Sequence, residues 1–162
     1  MSEPLFEVVT PAANVAGRRL TTAAKVQAAL RLGAVDTTLI ESIIDAVSGE
    51  CVRFCNLARA VAGPVPTFGM EVVRATWLGA GMDRGSILIL PWRVPVTAMG
   101  SVVEDGTSLT SNTDFRLVGG GMLERMADDA PVCWSPGKIV VSWTAGWSLP
   151  AEVPAELEGQ VI

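Results

Sequence analysis

The strongest helical pattern in the chain covers residues 36–60, which read DTTLIESIIDAVSGECVRFCNLARA. Asp36 can cap the N-terminus of this helix, and Gly63-Pro64 follows its expected end near Ala60. Apolar side chains recur every three or four residues, so they predict one stripe that faces a core. The members of this stripe are Ile40, Ile43, Ile44, Val47, Cys51, Phe54, Cys55 and Ala58.

A shorter helix, of about ten residues, is predicted before the long one. Thr21 or Thr22 can cap this helix, and Gly33 is its expected stop. Residues 1–20 form an arm ahead of both helices. Within the arm, residues 5–9 have the composition of one short strand.

Beyond Gly63-Pro64 the apolar spacing changes from that of a helix to that of a strand. Asp105-Gly106 predicts a tight hairpin turn, and Gly119-Gly120-Gly121 predicts a second turn. Pro154 opens an apolar pattern that predicts the start of a C-terminal helix. Strands are predicted at residues 86–90, 100–103, 115–118, 122–126 and 138–143, with a weaker one at 71–78.

This order of elements predicts an α+β fold, because helices and strands occupy separate parts of the chain. We expect a small helical bundle, formed by the two N-terminal helices and the C-terminal helix, with an inserted antiparallel β-hairpin block. The expected parts are an arm at 1–20, a helical part at 21–62, the β block at 63–150, and the start of a C-terminal helix or tail at 151–162.

Composition excludes several kinds of protein before any motif is considered. The chain has 162 residues, of which 49% are hydrophobic and 18% charged, so it is predicted to fold rather than to stay disordered. The net charge of −5 is opposite in sign to that of typical nucleic-acid-binding domains. Because the chain contains no histidine, mechanisms and metal sites that need imidazole are excluded.

The sequence contains no recognisable catalytic, phosphate-binding or metal-binding motif. Gly119-Gly120-Gly121 is followed by a strand pattern, whereas a phosphate loop needs a helix N-terminus there. Asp128-Asp129 is the one adjacent acid pair, and its surroundings predict a solvated loop. We expect the tryptophans in the core or at subunit interfaces. They are Trp77, Trp92, Trp134, Trp143 and Trp147.

Three cysteines, Cys51, Cys55 and Cys133, are predicted to be small buried hydrophobic residues. An odd set without histidine forms neither a full disulfide framework nor a good zinc site. The first residues lack the pattern of a signal peptide, and no apolar run is long enough to span a membrane. We therefore expect assembly in the cytoplasm and no membrane partner.

The order of segments resembles the head–tail connector, or adaptor, proteins of long-tailed bacteriophages. The helical half is similar to that family in VVTP (8–11), LTTAAK (20–25), ALRL (29–32) and DTTLIESIIDA (36–46). The β half is similar in ILPWRVPV (89–96), VEDGT (103–107), DFRL (114–117), GKIVVSWTAGW (137–147) and VPAEL (153–157).

This resemblance implies a structural protein rather than an enzyme, and it implies no cofactor. Copies would form a ring, commonly of twelve, that docks on the portal protein and extends the DNA channel of the head. The ring would offer a platform to the stopper or tail. DNA would pass through it without sequence-specific binding, during packaging and ejection. The implied location is the virion, at the head–tail interface.

The C-terminal segment is the predicted portal contact, because a short amphipathic tail can lie in a groove of its partner. A neck stopper or tail-completion protein is the main alternative function. An enzyme with a carboxylate pair and a sugar-binding module are further alternatives. The residues assigned to the portal contact are Glu152, Glu156, Leu157, Val161 and Ile162.

Overall fold

The computed structural model describes residues 4–12, 16–33, 36–55, 57, 67–79, 85–91, 95–159 and 161. The helices in this part of the chain are α1 (Ala23–Leu30), α2 (Thr37–Phe54) and α3 (Ala155–Glu158). A 3-10 turn at Ala16–Arg18 precedes them. The strands are β1 (Leu5–Thr10), β2 (Glu71–Trp77), β3 (Ile87–Ile89), β4 (Val96–Glu104), β5 (Thr107–Ser108), β6 (Phe115–Val118), β7 (Met122–Ala127), β8 (Ala130–Pro131) and β9 (Ile139–Ala145).

A five-stranded antiparallel sheet, in the order β1-β2-β9-β4-β5, forms the centre of the fold. β2 and β9 pair along their whole length, and Val73 lies opposite Trp143. Both side chains are fully buried, because alternation along a strand places every second residue on the core face. The other face of the sheet is less buried and mixes polar with apolar side chains. There the Arg74 guanidinium lies 2.8 Å from the Glu7 carboxylate.

A second antiparallel sheet, in the order β3-β7-β6, is extended by β8, which pairs with β7. Gly119 and Gly120 form the predicted turn between β6 and β7, with φ angles of 59° and 74° that favour glycine. The two sheets share one hydrophobic core, to which the second sheet contributes Leu88, Phe115 and Leu123.

Two carboxylates at the end of β4 bind neighbouring segments, and one of them joins the two sheets. Glu104 accepts hydrogen bonds from the Arg125 guanidinium at 2.9 Å and from the Ser135 amide at 2.7 Å. Asp105, in the predicted hairpin turn, accepts from the Lys138 amide at 2.7 Å and from the Ser135 hydroxyl. The Glu104–Arg125 pair is mostly shielded from water, so it links β4 to β7 more firmly than a surface ion pair would.

Both N-terminal helices begin at predicted caps. The Thr22 side chain accepts a hydrogen bond from the Lys25 amide, and the Asp36 side chain accepts one from the Thr38 amide. The end of α1 differs from the prediction. Arg31 takes the left-handed conformation (φ 53°) that the sequence assigns to Gly33. No helix in the described ranges is long and apolar enough to cross a membrane.

The predicted apolar stripe of α2 is only partly buried, which corrects the sequence interpretation. Ile43 and Phe54 are 54% and 92% exposed. Successive residues are about 100° apart around a helix, so Ile43 and Ile44 face different sides and only Ile44 is covered. α2 also ends at Phe54 instead of near Ala60; residues 58–66 lie outside the described ranges. The residues that do face the core are Ile40, Ile44, Ser48 and Val52.

The α+β class and the antiparallel pairing are confirmed. β2 is a full member of the central sheet although its sequence signal is weak, and the predicted strand at 100–103 is part of the longer β4. The strand in the N-terminal arm joins the central sheet as β1. α3 is a single turn. A three-helix bundle and the four chain boundaries stay predictions.

Trp143 tests the shared core, since it lies on the central strand and its ring centroid is 6.2 Å from that of Phe6. Replacing Trp143 with alanine leaves a cavity and is expected to lower the free energy of unfolding by about 3–5 kcal/mol. Urea denaturation followed by circular dichroism measures the loss. Thr144→Ala, on the other face of β9, is the control and should cost under about 1 kcal/mol. Equal losses would contradict this core.

Candidate interaction surfaces

The acidic and glycine motifs of the sequence fall in turns. Asp128 and Asp129 form the exposed turn between β7 and β8, with φ angles of 50° and 60°. The predicted solvated loop is thus an exposed hairpin turn. No group of three or more Cys, Asp or Glu side chains among the described residues is placed to hold a metal ion.

The tryptophans divide between the core and the helical end of the molecule. Trp77, Trp134 and Trp143 belong to the core that the sheets share, so the core assignment is confirmed for them. Trp147 is half-buried, and its ring centroid is 6.0 Å from that of Phe68. Trp92 lies outside the described residues. Three of the five are therefore not available to line a sugar-binding surface.

The cysteine prediction is wrong for two of the three residues. Cys55 and Cys133 are exposed, and only Cys51 is partly buried. Burial raises the pKa of the Cys51 thiol, so it stays protonated at neutral pH. All three thiols are free of disulfides.

The C-terminal segment, residues 151–159 and 161, lies against the helices. Leu157 and Val161 are half-buried there. Glu152 and Glu156 are exposed, and Ile162 lies outside the described residues. Two residues of the predicted portal contact, Glu152 and Glu156, are thus exposed charges. The apolar residues Leu157 and Val161 pack within their own chain. The packing partners of the segment are Leu20, Val26, Ile40, Ile44, Val52 and Phe68.

Glu158 fastens this segment to α1. Its carboxylate accepts hydrogen bonds from the Lys25 ammonium at 2.7 Å and from the buried Thr21 hydroxyl at 3.0 Å. Lys25 first, and then Thr21, favour the charged form and hold the pKa of Glu158 below its usual value. No local sequence signal marks Glu158, because only folding brings it to partners 133 and 137 positions away.

Arg19 fastens the start of the helical part to α2. Its guanidinium donates two hydrogen bonds to Asp45, at 2.7 and 3.0 Å, and lies 3.0 Å from Glu41. The bonds to Asp45, followed by the pairing with Glu41, raise the pKa of Arg19. These charge-assisted bonds join the segment before α1 to α2.

A second apolar row on α2 stays exposed. Leu39, Ile43 and Phe54, called here the exposed row of α2, are 56%, 54% and 92% exposed. At about 100° and 1.5 Å per residue, these three span roughly 60° around the helix and about 22 Å along it. The predicted apolar stripe of α2 contains residues of both the exposed row and the buried row. A single core contact buries less than half of the helix circumference, whereas the apolar residues of α2 cover more than half. This wider distribution is the sequence signal for a second contact face.

The outer face of the second sheet also exposes apolar residues. Ile89 lies opposite Met122, which lies opposite Val118, so the three form a band across the strands. Ile87 and Ile89 are 48% and 66% exposed on the edge strand β3. The apolar residues of this outer face are Ile87, Ile89, Met122 and Val118, and Glu124 and Arg116 lie on the same face in the row of Ile87.

Comparisons with known proteins define the fold class. No protein-family model matches the chain, and no curated protein matches its sequence. The chain is similar to one in the neck of an empty GTA particle computed with C6 symmetry, with 18% identity, a TM-score of 0.53, and coverage of 96% of this chain and 79% of that one. It is also similar to a chain in the virion of a native gene transfer agent (GTA) particle, with 18% identity, a TM-score of 0.53, and coverage of 97% and 79%. The fold is therefore shared with chains of gene transfer agent particles over nearly the whole length of this chain.

The Glu158 contact predicts a pH dependence. Because pairing lowers its pKa in the folded state, Glu158 adds stability above its ordinary pKa of 4.5, and this is lost as the pH falls through the lower folded pKa. We expect Glu158→Gln to speed hydrogen exchange in the C-terminal segment at neutral pH, with the difference from the unchanged protein vanishing in acid. Glu156→Gln, at an exposed carboxylate, is the control. Unchanged exchange in Glu158→Gln would refute the contact.

Proposed function

We propose that this chain is a structural protein of the neck of a tailed phage or phage-like particle, where it forms the adaptor ring between portal and tail. The observation that carries the proposal is the fold shared, over 96% of the chain, with a chain in the neck of a GTA particle. The segment order that resembles the connector family supports the same role. The proposed location is the virion, at the head–tail interface.

The proposed ring contains twelve copies, the number that the family resemblance favours. Twelve copies fit the sixfold symmetry with which the similar neck was computed. A closed ring needs two different complementary surfaces on each copy. The exposed row of α2 and the outer face of the second sheet give this chain two unlike surfaces.

The acidity of the chain suits a channel through which DNA slides. Each copy carries a net charge of −5, so twelve copies carry roughly −60. Basic side chains that bind phosphates would hold the DNA in place, and the chain has 12 basic residues against 17 acidic ones. DNA thus passes through the ring without sequence-specific binding.

The C-terminal segment is the proposed portal contact. Leu157 and Glu158 hold this segment against the helices, while Glu152 and Glu156 are exposed on it. A fixed segment with two exposed carboxylates suits basic side chains on the portal, because complementary charges speed and orient docking.

A neck stopper or tail-completion protein is the second candidate. The fold likeness favours it as well, since the similar chain is assigned to the neck as a whole. Such a protein would bind the adaptor ring or the tail and would leave the bare portal unoccupied.

Native mass spectrometry of the chain mixed with the portal ring of its own particle tests the proposal. We expect an added mass close to twelve copies, and none with an unrelated ring of similar size. Binding to the tail or to another neck ring, without binding to the portal, would favour the stopper role. No association with any neck or tail component would overturn the neck assignment.

Charge removal tests the portal contact. The double variant Glu152→Gln, Glu156→Gln is expected to weaken portal binding about tenfold at low salt, and less at high salt, because salt screens the lost attraction. Asp128→Asn with Asp129→Asn is the matched control, since it makes the same change in net charge on a hairpin turn far from this segment in sequence. Equal effects of the two double variants would show that net charge alone matters.

A further inference from the structure

This chain exposes two apolar surfaces that differ in shape. The exposed row of α2 is a ridge about 22 Å long. The outer face of the second sheet is a band across three strands, in which the side chains of Ile89, Met122 and Val118 lie side by side. Packing a helix row on a sheet face is one of the standard ways in which proteins bury both.

Each of these surfaces carries one ion pair within its own chain. Glu50 interrupts the row of α2, and its carboxylate lies 2.7 Å from the Arg53 guanidinium. Arg116 flanks the sheet band and donates to Glu124 at 2.6 Å. Each surface thus holds one arginine and one glutamate. Both glutamates therefore keep an arginine partner within their own copy when the surfaces meet, so the contact leaves no charge unpaired.

We infer that the exposed row of α2 packs on the outer face of the second sheet of a second copy of this chain, in a head-to-tail contact. The inference rests on the proposed function, because a ring requires two different surfaces on each copy and this contact assigns them. A twofold dimer would instead use the same surface on both copies. Each copy here has one surface of each kind, so the contact repeats from copy to copy until the ring closes.

Single substitutions can place a charge in the middle of either surface. Ile43→Glu changes the row of α2, and Ile89→Glu changes the sheet band. Leu5→Glu is the matched control, because Leu5 and Ile43 are equally exposed, at 54%, and Leu5 lies on β1, outside both surfaces. Circular dichroism and thermal unfolding show that each variant folds.

Sedimentation velocity at rising concentration, with and without the portal ring, measures the number of copies per assembly. We expect the unchanged chain and Leu5→Glu to assemble alike. Ile43→Glu and Ile89→Glu should each weaken self-association at least tenfold. If either variant assembles as well as the unchanged chain, these surfaces do not form the contact, and the inference fails.

Mixing the two variants distinguishes a head-to-tail contact from a twofold one. Ile43→Glu keeps an intact sheet band, and Ile89→Glu keeps an intact helix row, so the mixture can form one good contact. Assembly should then stop at a dimer of the two variants, because both remaining surfaces are damaged. A twofold contact between α2 helices would instead leave Ile89→Glu assembling like the unchanged chain.

The outcomes also separate this inference from the proposed function. A ring that forms on the portal from Ile43→Glu or Ile89→Glu would overturn the inference and leave the adaptor role intact. An unchanged chain that self-associates through these surfaces but binds no neck component would support the contact and overturn the adaptor role. A chain that is monomeric alone and with the portal ring would overturn both.

Discussion

The pairing of β2 with β9 is the constraint on which the rest of the structure depends. It joins two segments that are far apart in the chain, from Glu71 opposite Ala145 to Trp77 opposite Ile139. β1 extends the sheet on one side and β4 on the other, and the second sheet packs on the face that this register fills. A slip of one residue would turn Trp143 to the opposite, less buried face, so the register decides where the core lies.

The same strand connects the sheet to the helical end. Gly146 follows β9 with a φ angle of 105°, and a Cβ at this position would lie 2.3 Å from the carbonyl oxygen of Gly69. Glycine is therefore required where the chain passes into the bridge between Gly69 and Trp147. Trp147 packs on Phe68, and the chain then continues to Glu158 of α3, which binds Lys25 of α1. The Gly69–Trp147 bridge, the Trp147–Phe68 contact and the Glu158–Lys25 bond thus connect the helices to the end of β9.

Local signals account for most of what the sequence predicted correctly. The caps at Thr22 and Asp36 and the turn at Asp105 depend on neighbouring residues, so a single sequence contains them. β2 is harder to predict, because Glu71 and Arg74 interrupt its apolar residues and its place in the sheet depends on its distant partner strand. Which row of α2 is buried is likewise decided by other elements, since both rows have helical spacing.

The C-terminal segment shows why interaction surfaces are harder to predict than folds. Leu157 and Val161 have the amphipathic spacing that suggests an external partner, yet the chain uses them for its own core. An apolar residue does not indicate whether its partner belongs to the same chain. Tertiary packing decides this, and it leaves the exposed row of α2 and the outer face of the second sheet unused.

The separation between apolar residues of the core and apolar residues left exposed bears on how copies can assemble. The core that the two sheets share is built from residues of a single chain. An obligate oligomer gains its stability only at sufficient concentration, whereas a chain that folds alone can be added copy by copy to a docking site. A ring that is built on a portal needs subunits of the second kind. In such subunits, apolar surface that folding leaves over can serve assembly without a cost to the fold.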